Sequence, residues 1–227
     1  MANHLDLEEQ EQLDQLKHFW KQYGNLITWG LILVLGAVAA WNGYHRWQHD
    51  QSLQAAAMYD EVEKLVQGGD AQKAERGFND MKDRFAKTAY TQQAGLLVAK
   101  MVYESGKVDS AKATLNWLVE NAADKGYASV ARLRLSAVLI DAKAYDEALR
   151  LLGTGVADEF AALTGDRKGD IYILQGKKSE AKAEYEKAYK AFDAQSEYLR
   201  LVGVKLNALG VNPQAEVKTA AVTEGVK

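Results

Sequence analysis

All four histidines of this 227-residue chain, His4, His18, His45 and His49, lie within its first 49 positions, and there is no cysteine. Everything beyond His49 therefore lacks both the side chain that changes protonation near neutral pH and the soft metal ligand. Ser-His-Asp triads, Cys-His pairs and nearly all zinc sites are excluded from that stretch. No disulfide can form, which is compatible with an oxidising or a reducing compartment. The combinations that remain are generic. Glu61 with Glu63, and Asp166 with Asp170, have the residue types for acid-base work, but 31 acidic residues produce such pairs throughout. Ser105 with Lys107 and Ser110 with Lys112 place a hydroxyl beside an amine at a spacing that singles out neither. The stretch "GTGVAD", 153–158, begins like a dinucleotide-binding turn yet lacks the third glycine and a preceding strand, so it reads as a helix end and turn. In "GKKSEAKAEYEKAYK", 176–190, Glu180, Glu184 and Glu186 interleave with the lysines, as on a solvated helix face. The sequence predicts no catalytic residue, no metal and no cofactor. Its expected work is binding, not catalysis.

Bulk composition narrows the partners. With 28 basic and 31 acidic residues mixed along the chain, the net charge is −3, too little and too evenly spread to gather nucleic acid. An apolar content of 48% is that of a folded chain, so disorder throughout is excluded.

The elements that would carry a binding surface begin with an anchor. Between Lys21 and Arg46 there is no Asp, Glu, Lys or Arg. A helix rising 1.5 Å per residue needs roughly 20 apolar residues to cross hydrocarbon, and 23–47 supplies them. Trp20, Tyr23 and Trp29 at one end and Trp41, Tyr44 and Trp47 at the other suit two headgroup interfaces, which favours a span over a buried core helix. "AVAA" at 37–40 has the form of a cleavage site. A cleavable signal would open on basic residues, whereas Asp6, Glu8, Glu9, Glu11 and Asp14 precede only Lys17 and Lys21 here. Gly36, Ala40 and Gly43 form a candidate face for a neighbouring transmembrane helix. Lys17 and Lys21 before the span, against Arg46 alone close after it, tilt the N-terminus towards the cytoplasm.

Past Asp50 the apolar spacing is helical and proline is absent until Pro213. Four segments, "GDAQKAERGF", "GKVDSAKATL", "KAYDEALRLL" and "GKKSEAKAEY", share a turn followed by alanine, and Ala74, Ala111, Ala148 and Ala181 follow one another at intervals of 37, 37 and 33. A bulky residue follows each by four: Phe78, Leu115, Leu152 and Tyr185. Twelve before each stands Val62, Ala99, Ser136 or Gly169. The period predicts helix pairs over 55–67 with 71–86, 91–105 with 108–121, 127–141 with 145–153, and 162–175 with 178–192. Each pair leaves an apolar stripe that only stacking covers. The spacing resembles that of tetratricopeptide repeats, although the proline after the second helix and the tryptophan opening the first are missing. "SEYLRLVGVKLNAL", 196–209, is expected to cap the last edge, and 210–227 to form a loose tail. The fold class expected is thus all-α: one N-terminal transmembrane helix, then an α-solenoid of about four helical hairpins and a capping helix. Its domains would be 1–22, 23–47, 51–209 and 210–227. In such a stack the first helix of each pair lines a groove, here with Tyr59, Glu63, Leu96, Lys100, Tyr103, Leu133 and Ile140 as the candidate protein-binding residues. Several of these could instead be packed between helices.

The order of parts is itself distinctive. "LKHFWKQYGN" runs straight into the span, "GYHRW" leaves it, and divergent helical repeats follow. In this the chain resembles the YfgM-type ancillary subunits of the SecYEG translocon, over nearly all its length to about residue 209. The resemblance implies a bacterial inner-membrane protein with a cytoplasmic N-terminus and periplasmic repeats. It also implies the SecYEG translocon and a PpiD-type periplasmic chaperone as partners, and a part in handling unfolded polypeptides as they emerge. An envelope assembly or stress-signalling scaffold with another partner would use the same architecture.

Overall fold

A computed structural model describes residues 7–213, and among these it contains nine α-helices, one short 3-10 turn and no strand. The tail expected over 210–227 falls, beyond Pro213, outside the described residues. The chain divides into two units, residues 1–53 and 54–227.

The first unit is built on α1 (Leu7–Gln67), the helix whose apolar stretch is long enough to cross a membrane. Leu26, Trp29, Leu33, Leu35 and Trp41 are all exposed, as on a helix whose solvent is lipid. No proline or glycine occurs between Tyr44 and Gln67, and α1 therefore continues without a break where the sequence reading separates a span ending at 47 from a repeat helix starting at 55.

In the second unit the C-terminal part of α1 pairs with α2 (Ala71–Phe85), and α3 (Ala89–Glu104) with α4 (Val108–Asn121). Then α5 (Lys125–Asp141) pairs with α6 (Tyr145–Leu151), and α7 (Ala161–Leu174) with α8 (Lys178–Ala191), before α9 (Glu197–Ala208) covers α8. Apart from the continuous α1, these are the helix pairs that the alanine period predicts, to within two positions at each end. The short 3-10 turn Asp158–Phe160 has no counterpart in the expected pairs.

The period works through size. Ala74, Ala111, Ala148 and Ala181 are all fully buried, and Phe78, Leu115, Leu152 and Tyr185 fill the space beside them. Each large apolar side chain so removed from water contributes roughly 1.5–3 kcal/mol. The small partner residues admit the plugs: a methyl group on Gly169 would lie 2.3 Å from the Tyr185 ring. Helix starts are fixed locally, Asp70 accepting from Lys73 N at 3.0 Å and Asp124 from Gly126 N at 2.7 Å. Turns are fixed by left-handed residues at Gly69, Gly106 and Gly176, with Lys143 in the same conformation at φ 58°. The stretch 153–158 is a turn, Gly155 lying against the Arg132 guanidinium.

Candidate protein-binding face

The first helix of each pair presents one side to its partner and another to its counterparts in neighbouring pairs, and the predicted groove residues divide between the two. Tyr59 on α1 and Tyr90 on α3 bring their rings to 6.0 Å. Gln93, one turn along α3, donates to the Tyr127 hydroxyl on α5 at 2.6 Å. Three tyrosines from three successive first helices therefore converge with an amide among them. Burial and the adjacent Glu63 carboxylate push the Tyr59 hydroxyl above its ordinary pKa, which keeps it a neutral donor bonded to Glu63.

Further along, the Tyr103 hydroxyl donates to Asp141, and this bond pushes its pKa up. Lys100 is exposed, 3.8 Å from Glu104. Arg134 donates to the Leu96 carbonyl at 2.8 Å, tying α5 to α3. Leu96 itself is buried in the core with Leu115, Leu118 and Leu135, so it is not part of an open groove. Leu133 and Ile140 are partly buried against the same core, and Tyr103 bridges two core clusters. Of the seven groove residues, Tyr59 and Glu63 belong to the tyrosine cluster, Lys100 and Tyr103 pair instead with Glu104 and Asp141, and the three aliphatic ones pack against the core.

Sequence reasoning missed Tyr90 and Tyr127, though a signal existed. Tyr90, Tyr127 and Phe160 follow one another at intervals of 37 and 33, in step with the repeat; Tyr90 and Tyr127 lie in the first turn of α3 and α5, and Phe160 immediately precedes α7. A side chain so repeated is an aromatic rail laid by the solenoid period. Tyrosine suits such a rail because it offers a large ring and one hydrogen-bonding tip at low entropic cost.

The candidate transmembrane face is open. A methyl group added at Gly36 or Gly43 meets no atom within 4 Å, and the Ala40 side is equally exposed. Among the described residues no group of three or more His, Cys, Asp or Glu side chains could hold a metal ion.

The opposite end of the repeat unit is locked by charge. Lys205 on α9 places its ammonium 2.6 Å from Asp166 and 2.7 Å from Asp170, both on α7, and 5.3 Å from the centre of the Tyr185 ring on α8. Tyr185 donates to Asp170 at 2.7 Å. Burial and the two carboxylates raise the Tyr185 pKa far above the ordinary value, so its proton stays on. Three helices are thereby tied by one cation.

Residues 17–211 match the tetratricopeptide repeat-like domain family. Among curated relatives, the ancillary SecYEG translocon subunit of Neisseria gonorrhoeae is 32% identical over 213 residues, covering 92% of this chain and all of the relative. The protein of that name from Haemophilus influenzae is 33% identical over 80% of this chain and 89% of its own length. That from Escherichia coli is 25% identical over 89% of this chain and 97% of its own.

Proposed function

The chain belongs to the family of ancillary SecYEG translocon subunits, and from that premise we propose that it is a membrane-anchored, protein-binding scaffold working beside the translocon. There it helps periplasmic chaperones of the PpiD type handle secreted and outer-membrane proteins as they emerge. The N-terminus lies in the cytoplasm, α1 crosses the inner membrane once, and the repeat unit stands in the periplasm. The face of Gly36, Ala40 and Gly43 receives a helix of the translocon, which small residues permit by close backbone approach.

One observation supports the reading above others: Tyr59, Tyr90 and Tyr127, drawn from three helices, form an aromatic surface on a chain tethered to the membrane. Aromatic groups set among charged neighbours bind extended polypeptide through rings and backbone hydrogen bonds. Tethering raises the effective concentration of such a surface at its neighbours, so weak intrinsic affinity suffices.

Photoreactive residues placed at Tyr90 and Tyr127 in cells test this. The expected adducts are exported chains or the chaperone, absent when the probe sits at the exposed Asn79 on α2. Identical adducts from all three positions would discard the surface.

A further inference from the structure

The aromatic rail is continuous over four successive repeats, and its charge is one-sided. Tyr59 and Tyr90 bring their rings to 6.0 Å, and Gln93 joins Tyr127 at 2.6 Å. The Phe160 ring then reaches within 3.9 Å of a methyl position on Gly126, beside Tyr127. The turn that carries Phe160 is held from α5, Ala157 N donating to Ser129 Oγ at 2.9 Å.

Carboxylates accompany the rail from end to end. Burial, then Glu63 and then Asp60, hold the Tyr59 hydroxyl above its ordinary pKa, so both acids lie near its tip. Asp124 Oδ1 accepts from Gly126 N at 2.7 Å and Tyr127 N at 3.3 Å, which sets this charge where Tyr127 and Phe160 adjoin. Asp158 and Glu159 are exposed immediately before Phe160. Among the described residues none of these five acids enters an ion pair. Two basic residues, Lys87 and Lys125, fall within three positions of a rail ring, and Lys87 gives its ammonium to the Asn121 carbonyl at 3.0 Å. Unpaired like charges beside an apolar track repel one another, and a cationic partner relieves that repulsion.

We propose that the rail selects extended polypeptide rich in lysine and arginine and disfavours acidic segments. This rests on the reading of that face as a polypeptide-binding surface and adds which polypeptides it takes. An ammonium or guanidinium over a tyrosine face gains from the ring quadrupole, and the carboxylate beside it adds a charge-assisted hydrogen bond. The aliphatic stems of the same side chains lie along the rings. Nucleic acid and anionic headgroups are repelled by the same five charges, and a second copy of this chain would set its own carboxylates against them.

The test uses the full chain in nanodiscs of phosphatidylcholine, which carry no net charge. The probes are three dansyl-labelled peptides, each of five triplets: Lys-Leu-Ser, Gln-Leu-Ser or Glu-Leu-Ser. Fluorescence anisotropy should show the lysine peptide binding about tenfold or more tighter than the glutamate peptide, with the difference shrinking as salt rises from about 0.05 M to about 0.5 M. D60N/E63Q/D124N keeps the α5 cap, because asparagine caps as well as aspartate, and should bring the lysine peptide to the affinity of the glutamine peptide. D80N/D83N, at exposed positions on α2, should leave the preference intact. Equal affinity for the lysine and glutamate peptides, with both lost in Tyr90→Ala, would overturn the selection by charge and leave the polypeptide surface standing. A preference for lysine that survives the triple variant, or falls equally in D80N/D83N, would overturn it too. Binding of none of the three peptides would remove the surface itself.

Discussion

The Lys205 ammonium on α9 lies 2.6 Å from Asp166 on α7, 39 residues earlier in the chain, and among the described residues no other ion pair of the repeat unit joins two helices at so short a distance. With Asp170 and Tyr185 it forms a clasp of four side chains around one positive charge. Lys205→Met keeps the aliphatic stem and deletes the charge, leaving two carboxylates facing each other inside the unit. Loss of about 2 kcal/mol is expected, short of the figure for a fully buried pair because Lys205 retains some exposure. Urea titration measures it, and α9 amides should exchange faster than those of α4.

The same clasp has a pH signature. Burial holds the Asp166 carboxyl above its ordinary value of 3.8, outweighing the Lys205 bond that lowers it. The folded state thus binds this proton more tightly than the unfolded state. Its contribution is fully present below the unfolded pKa and is lost as pH rises through the raised folded value. The stability of the wild type relative to Asp166→Asn should therefore fall as pH is raised from about 3 to about 7. A difference that grows over that range would mean that the Lys205 attraction dominates.

Gly169→Ala is expected to be severe for an alanine. Its methyl meets the Tyr185 ring, which must swing away and give up its bond to Asp170. Overpacking of this kind costs about 1–3 kcal/mol. Gly43→Ala, with nothing near it, should leave the thermal midpoint of the repeat unit where it was.

Lys143 occupies the turn position that is glycine in the other repeats, at φ 58°. A left-handed conformation costs a side chain about 1–2 kcal/mol. Lys143→Gly removes that strain, against a smaller loss from the freer unfolded chain. A net rise of about 0.5 kcal/mol is expected by calorimetry.

How far the sequence carried the reading depends on whether a feature repeats. The helix pairs were legible because Ala74, Ala111, Ala148 and Ala181 recur with a bulky residue four positions on, and packing obeys that recurrence. The continuity of α1 was also there to read, in the absence of proline and glycine from 44 to 67. Leu96 shows the limit. It lies one turn from Lys100 on the same helix, and nothing in their spacing says which of them the neighbouring helices cover. The Lys205 clasp was beyond reach for another reason, since residues on α7, α8 and α9 meet only once the stacking is known. The aromatic rail was periodic but keyed to the start of the first helix, away from the alanines that revealed the period.

The central claim is that α1 crosses the membrane and delivers the repeat unit to the side where exported chains emerge. Because the chain lacks cysteine, single substitutions His18→Cys and Lys87→Cys can be labelled in intact spheroplasts with a membrane-impermeant maleimide. The account predicts that Lys87→Cys is labelled at once and His18→Cys only after lysis. Labelling of both positions before lysis, or of His18→Cys alone, would contradict it.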